Sequence, residues 1–173
     1  LWGGHNYSLL GAPMAINYDS TDSKLAPTKG VRATLRVAPY VKALPHGLTM
    51  VQSKAQISAY HAFDEEARYI LAGRIGAGST VGARIADVPA NRRFLVGGGG
   101  SVRGYRYRSL SPHNGFDGPT GGLSYLEASL EARIRVTDTI GVVPFMDAGM
   151  AFDTPFPSFS SSIRESVGLG LRY

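Results

Sequence analysis

The sequence predicts an all-β protein, an antiparallel transmembrane β-barrel present in part, with a long loop held in its lumen. Apolar residues recur with a period of two in every long segment, and a helical period is hard to find anywhere. The alternating segments run to about 10–15 residues, longer than the usual mode near 5–6. Short turns on one side and the longest loops on the other follow the outer-membrane pattern.

The earliest segments alternate weakly. Leu1 to Tyr7 reads as the end of one strand and Leu10 to Tyr18 as another. From Gly30 to Lys42, Val31, Ala33, Leu35, Val37 and Val41 oppose Arg32, Thr34, Arg36, Tyr40 and Lys42. From Leu48 to Phe63, Val51, Ala55, Ile57, Ala59 and Phe63 oppose Gln52, Lys54, Gln56, Ser58 and Tyr60. From Tyr69 to Val81, Tyr69, Leu71, Ile75 and Ala77 oppose Arg74 and small residues. The clearest strand follows: Leu126, Ala128, Leu130, Ala132, Ile134 and Val136 alternate with Glu127, Ser129, Glu131, Arg133 and Arg135. Ile140 to Ala151 and Ile163 to Tyr173 complete a set of about seven or eight strands.

Alternation alone also fits a water-soluble sandwich. The membrane reading adds that no helix covers the apolar faces, and that Tyr18, Phe63, Tyr69 and Tyr173 stand near strand ends, as in interfacial girdles. The polar connections at Ser20 to Lys29, Asp64 to Arg68 and Thr137 to Thr139 contrast with residues 84–122, far beyond the common connection of about 2–6 residues. Ala43 to Gly47 is a tight turn, and Asp153 to Ser162 is longer and rich in Pro and Ser.

The 173 residues carry a net charge of +5 and are 43% hydrophobic, enough for one ordinary domain. With no cysteine there is no disulfide or thiol site. No run approaches the roughly 18 apolar residues of a membrane helix. Leu1-Trp2-Gly3-Gly4 shows neither an initiator Met nor a signal peptide, so the chain reads as the interior of a longer one.

Residues 93–112, R-F-L-V-G-G-G-G-S-V-R-G-Y-R-Y-R-S-L-S-P, organise the rest. Between Val88 and Phe116 stand Arg92, Arg93, Arg103, Arg106 and Arg108, with no acid. Gly97 to Gly100 gain little by folding alone, because ordering glycine costs the most backbone entropy. The run is no phosphate loop, lacking a following Lys-Ser/Thr, and no dinucleotide fingerprint, lacking the last glycine in register. Gly99-Gly100-Ser101-Val102-Arg103 is no nucleophile elbow either, since it ends in Arg. A solvated basic loop touching acidic lipid or nucleic acid is the plainer reading. Inside a barrel, an arginine needs acceptors. Strand parity turns Glu127, Glu131 and Asp147 toward the lumen, with Phe145 beside Asp147, and Arg103 can be fixed there by a planar fork.

G-G-x-x-S-V-R-G-Y, S-L-E and V-P-F-x-D-A-G resemble the TamA/BamA superfamily of outer-membrane assembly proteins, the bacterial surface-antigen family. Asp22 to Gly30, with L-A-P-T-K-G, resembles the family's D-x-L-x-P-T-x-G turn, and the resemblance looks closest to TamA. It implies that Val102, Arg103, Gly104 and Tyr105 form a loop motif in the lumen, with Glu131 and Asp147 as partners of Arg103 and with Gly97, Gly98, Ser101 and Phe145 in support. It further implies a barrel of about sixteen strands, of which residues 1–173 would be one C-terminal part, without the periplasmic POTRA domains of a full member.

The function so implied is a fragment of an assembly and translocation factor that helps insert and fold β-barrel proteins such as autotransporters. It needs no cofactor, metal or catalytic residue. Its partners are outer-membrane lipid, unfolded β-barrel clients and an inner-membrane-anchored periplasmic partner resembling TamB, with no nucleic acid. A two-partner secretion pore and a passive porin-like channel are the alternatives. An outer-membrane enzyme is a third, but His5, His46, His61 and His113 are scattered without a matching acid-and-serine spacing.

Overall fold

A computed structural model describes residues 9–42, 49–113, 118–158 and 163–173. The expected strand end at Leu1 to Tyr7 and the tight turn at Ala43 to Gly47 lie outside them. Strands β1 (Leu9–Gly11), β2 (Met14–Asp19), β3 (Gly30–Lys42), β4 (Met50–Ala62), β5 (Tyr69–Val81), β6 (Ser124–Arg135), β7 (Gly141–Phe152) and β8 (Arg164–Arg172) form one antiparallel sheet. The only helical pieces among the described residues are single 3₁₀ turns at Ile85–Asp87 and Ala90–Arg92.

The sheet is a meander, because each strand from β3 to β8 pairs with the next in sequence. β1 and β2 lie end to end along β3. Gly11 faces Tyr40 and Met14 faces Val37, so the register runs unchanged across the break. Pro13 sits at that break and has no N–H to give the ladder. The strand expected over Leu10 to Tyr18 is therefore one line of chain interrupted by a proline. Among the described residues the sheet is open, and its two edges do not meet.

The burial is inverted relative to a soluble sandwich. Ile57, Ile75, Leu130, Met146, Val167 and Leu169 stand exposed on one face. On the other, Ser58, Thr80, Glu127 and Asp147 are buried. An apolar outside around a polar inside is the pattern of a transmembrane barrel. Two apolar clusters lie where the loop meets the inner face. Val96, Val102 and Leu110 pack on Tyr125 and Ala151, while Val88 and Leu123 pack with Tyr40 and Met50.

Candidate functional site

The described residues of the loop 84–122 lie against the inner face, held by their own backbone. Phe94 and Gly122 exchange N–H···O bonds of 2.9 and 2.8 Å at its neck. The Leu110 N–H donates to the Val96 carbonyl at 3.0 Å, and the Ala151 N–H of β7 donates to the Leu110 carbonyl at 2.9 Å. Gly97 and Gly98 turn the chain at φ of +112° and +102°. A Cβ on Gly97 would lie 3.0 Å from the Arg106 carbonyl and 3.1 Å from the Ser109 nitrogen, so glycine is required there for both conformation and space.

Past this turn Val102 is fully buried in the cluster with Tyr125 and Ala151. Arg103 follows. Its Nε donates to Asp147 Oδ2 at 2.7 Å and its Nη2 to Asp147 Oδ1 at 2.8 Å, a two-pronged fork on one carboxylate. Nη1 donates to Glu131 Oε2 at 3.1 Å, and Nη2 also reaches Ser129 Oγ at 3.0 Å. The Arg103 backbone N–H donates to Asp147 Oδ2 at 3.0 Å, and the Ser129 hydroxyl to Oδ1 at 2.6 Å. The guanidinium lies 3.7 Å from the centre of the Phe145 ring, close enough for a cation–π contact. Asp147, 1% exposed, thus has both oxygens satisfied, as a buried charge must.

Neighbouring contacts extend the network. The Ser101 hydroxyl donates to Glu127 Oε2 at 2.6 Å, and the Arg74 guanidinium donates to the carbonyls of Gly100 and Ser101. The Tyr105 hydroxyl donates to the Glu165 carbonyl of β8 at 2.9 Å. Gly104 has φ +83°. Glu131 is shared, because Arg133 Nε donates to its Oε1 at 2.7 Å. Arg133 also donates to the Pro27 carbonyl at 3.3 Å, which brings the turn between β2 and β3 against the same network. Within that turn the Thr28 hydroxyl donates to Asp22 Oδ2, and the Thr28 and Lys29 N–H groups donate to Oδ1. These bonds, the Thr28 hydroxyl first, hold the Asp22 carboxyl down at about 2.

The structure gathers Val102, Arg103, Gly104, Tyr105, Glu131, Asp147, Gly97, Gly98, Ser101 and Phe145 in one region of the inner face. Among the five arginines between Val88 and Phe116, only Arg103 forms an ion pair with described residues. Arg92 bonds to the Tyr40 hydroxyl, and Arg93 to the carbonyls of Val88 and Thr120. Residue-by-residue reading missed roles for Ser129, Arg133 and Arg74. Parity puts all three on the inner face, and that was the signal available. Among the described residues no group of three or more His, Asp and Glu is placed to hold a metal.

What this geometry can do is fix a loop, through one guanidinium and two carboxylates, against the wall of a barrel. A model of the Omp85 superfamily domain matches residues 3–173. The outer membrane protein assembly factor BamA of Nitratidesulfovibrio vulgaris is 30% identical over 176 residues, covering 98% of this chain and 22% of that protein. The crystal structure of BamA from Haemophilus ducreyi lacking POTRA domains 1–3 has a TM-score of 0.76 at 22% identity, over 93% of this chain and 35% of that one. The chain therefore spans about a fifth of the curated relative's length, 22%. It belongs to the Omp85 superfamily, and its strands are those of a Gram-negative outer-membrane β-barrel.

Proposed function

We propose, from membership of the Omp85 superfamily, that this chain is part of the barrel of a factor that inserts and folds β-barrel clients in the outer membrane. The observation that carries the reading is the Arg103 fork on Asp147, with Glu131 alongside, which holds a long loop on the inner face. A loop so held fills part of the polar interior and fixes the wall it touches. Its role is then to set barrel shape during assembly rather than to react, so no cofactor, metal or catalytic residue is assigned. The likeness to a protein named as an assembly factor supports this reading.

The finer reading is an autotransporter-type assembly role near the TamA branch. It rests on V-V-P-F-M-D-A-G and on the run from Arg93 to Tyr105, and it carries an inner-membrane-anchored, TamB-like partner with it. Residues 1–173 are, on this reading, one piece of the C-terminal barrel domain.

The test uses the full-length protein. Arg103→Ala should loosen the loop and impair client assembly while expression falls less, and Arg103→Lys should not behave as wild type, because Lys keeps the charge and loses the fork. A charge-swap cycle of Arg103 with Asp147 and with Glu131, read by protease protection of the loop, measures the latch itself. Coupling no larger than the roughly 0.3–0.5 kcal/mol of independent sites in both pairs would sink it. Normal client assembly in Arg103→Ala would sink the assembly role. A steady, wide conductance in the wild type would favour a passive channel.

A further inference from the structure

We propose that Arg74 is a second positioning residue of the loop, gripping the main chain just before Arg103 so that the Arg103 guanidinium arrives opposite Asp147. This rests on the assembly reading for its purpose and on geometry alone for its existence. Arg74 is the only charged residue of β5, on the strand that leads into the loop. Its Nη1 donates to the Gly100 carbonyl and its Nη2 to the Ser101 carbonyl, each at 3.1 Å. It forms no ion pair with any described residue. One planar fork thus spends two prongs on two successive carbonyls, a match that a lysine cannot reproduce.

The position of those carbonyls matters. They stand only two or three residues before Arg103, and an extended residue spans at most about 3.6 Å, so fixing them leaves the next side chain little reach to spare. Beside them the Ser101 hydroxyl is bound to Glu127, and it accepts from the Gly97 N–H at 3.3 Å. Glu127 lies against Gly76 of β5, where a Cβ would meet its Cγ and Oε1 at 3.1 Å. Residues 100–103 are therefore held by β5 through Arg74, by β6 through Glu127, Ser129 and Glu131, and by β7 through Asp147. Arg103 by itself reaches only β6 and β7. Arg74 supplies the tie to β5 and fixes the angle at which the loop approaches.

Limited proteolysis of the loop in outer-membrane vesicles, on the full-length protein without client, tests this. Arg74→Ala should raise the rate of loop cleavage at least about tenfold, the scale of lost hydrogen bonds to a charged group. Arg74→Lys should recover part of the protection, and resistance of the barrel to heat unfolding on a gel should not change. In an Arg103→Ala background, Arg74→Ala should add little. Wild-type cleavage of Arg74→Ala, or single effects that simply multiply in the double variant, would overturn the proposal. Should Arg74→Ala not accumulate folded, Arg74→Lys decides alone: severalfold faster cleavage supports the fork and an unchanged rate rejects it. No client enters the measurement, so a failure of the assembly reading leaves its outcome intact, and the reverse also holds.

Discussion

On β6, Leu126, Ala128, Leu130, Ala132 and Ile134 stand on one side of the sheet, and Glu127, Ser129, Glu131 and Arg133 on the other. The outer set is apolar and exposed or half-exposed, as the lipid-facing wall of a barrel requires, and such a wall asks for apolar surface and no particular partner. Leu130 is 51% exposed there, and Ile75 60%. Each inner group meets a named atom at hydrogen-bond distance, in several cases on a segment far along the chain. One face therefore tolerates exchange among apolar residues, while the other depends on identity and geometry. Period-two alternation produces both faces at once, and only the inner one carries a site.

A charge on the outer face is the strongest way to break this comparison. Leu130→Arg should cost on the order of 2–4 kcal/mol near the bilayer midplane, whereas Leu130→Val should be nearly silent, with folding efficiency in lipid vesicles as the readout. Equal behaviour of the two variants would mean that this face does not meet lipid.

Within the loop, a smaller effect sharpens the inner half of the comparison. Gly97→Ala forces a side chain to φ +112° against the Arg106 carbonyl and should cost about 1–3 kcal/mol of loop docking. Gly99→Ala meets nothing within 4 Å and should leave protease protection of the loop unchanged. Similar cleavage of both variants would show that the loop is not held in this conformation.

The smallest effect belongs to the turn between β2 and β3, which joins the inner network through Pro27. Asp22 has its carboxyl lowered from 3.8 to about 2 by bonds from Thr28 and Lys29. A depressed folded value stabilises the turn above the ordinary carboxylate range, and that contribution is lost as pH falls from about 4 toward 2. Amide exchange at Thr28 and Lys29 should accelerate over that window beyond the intrinsic pH trend, and Asp22→Asn should flatten the response. A flat response in the wild type would leave Asp22 without this role.

The sequence by itself determined the strands and their two faces. The expected bounds of Gly30 to Lys42 and Tyr69 to Val81 are those of β3 and β5, and the other bounds shift by a residue or two. Side-chain alternation is local backbone geometry, so it can be read from consecutive residues. The resemblance in V-R-G-Y and V-P-F-x-D-A-G pointed to Arg103, Glu131 and Asp147 because charged partners leave a mark in residue type. Only the tertiary structure decided how the loop lies and what else holds it. Arg74 and Arg133 bond to carbonyls of Gly100, Ser101 and Pro27. Every residue has a carbonyl, so no residue type marks the ones that are used. Which of them an arginine finds depends on a chain path set by contacts between segments that the sequence keeps far apart.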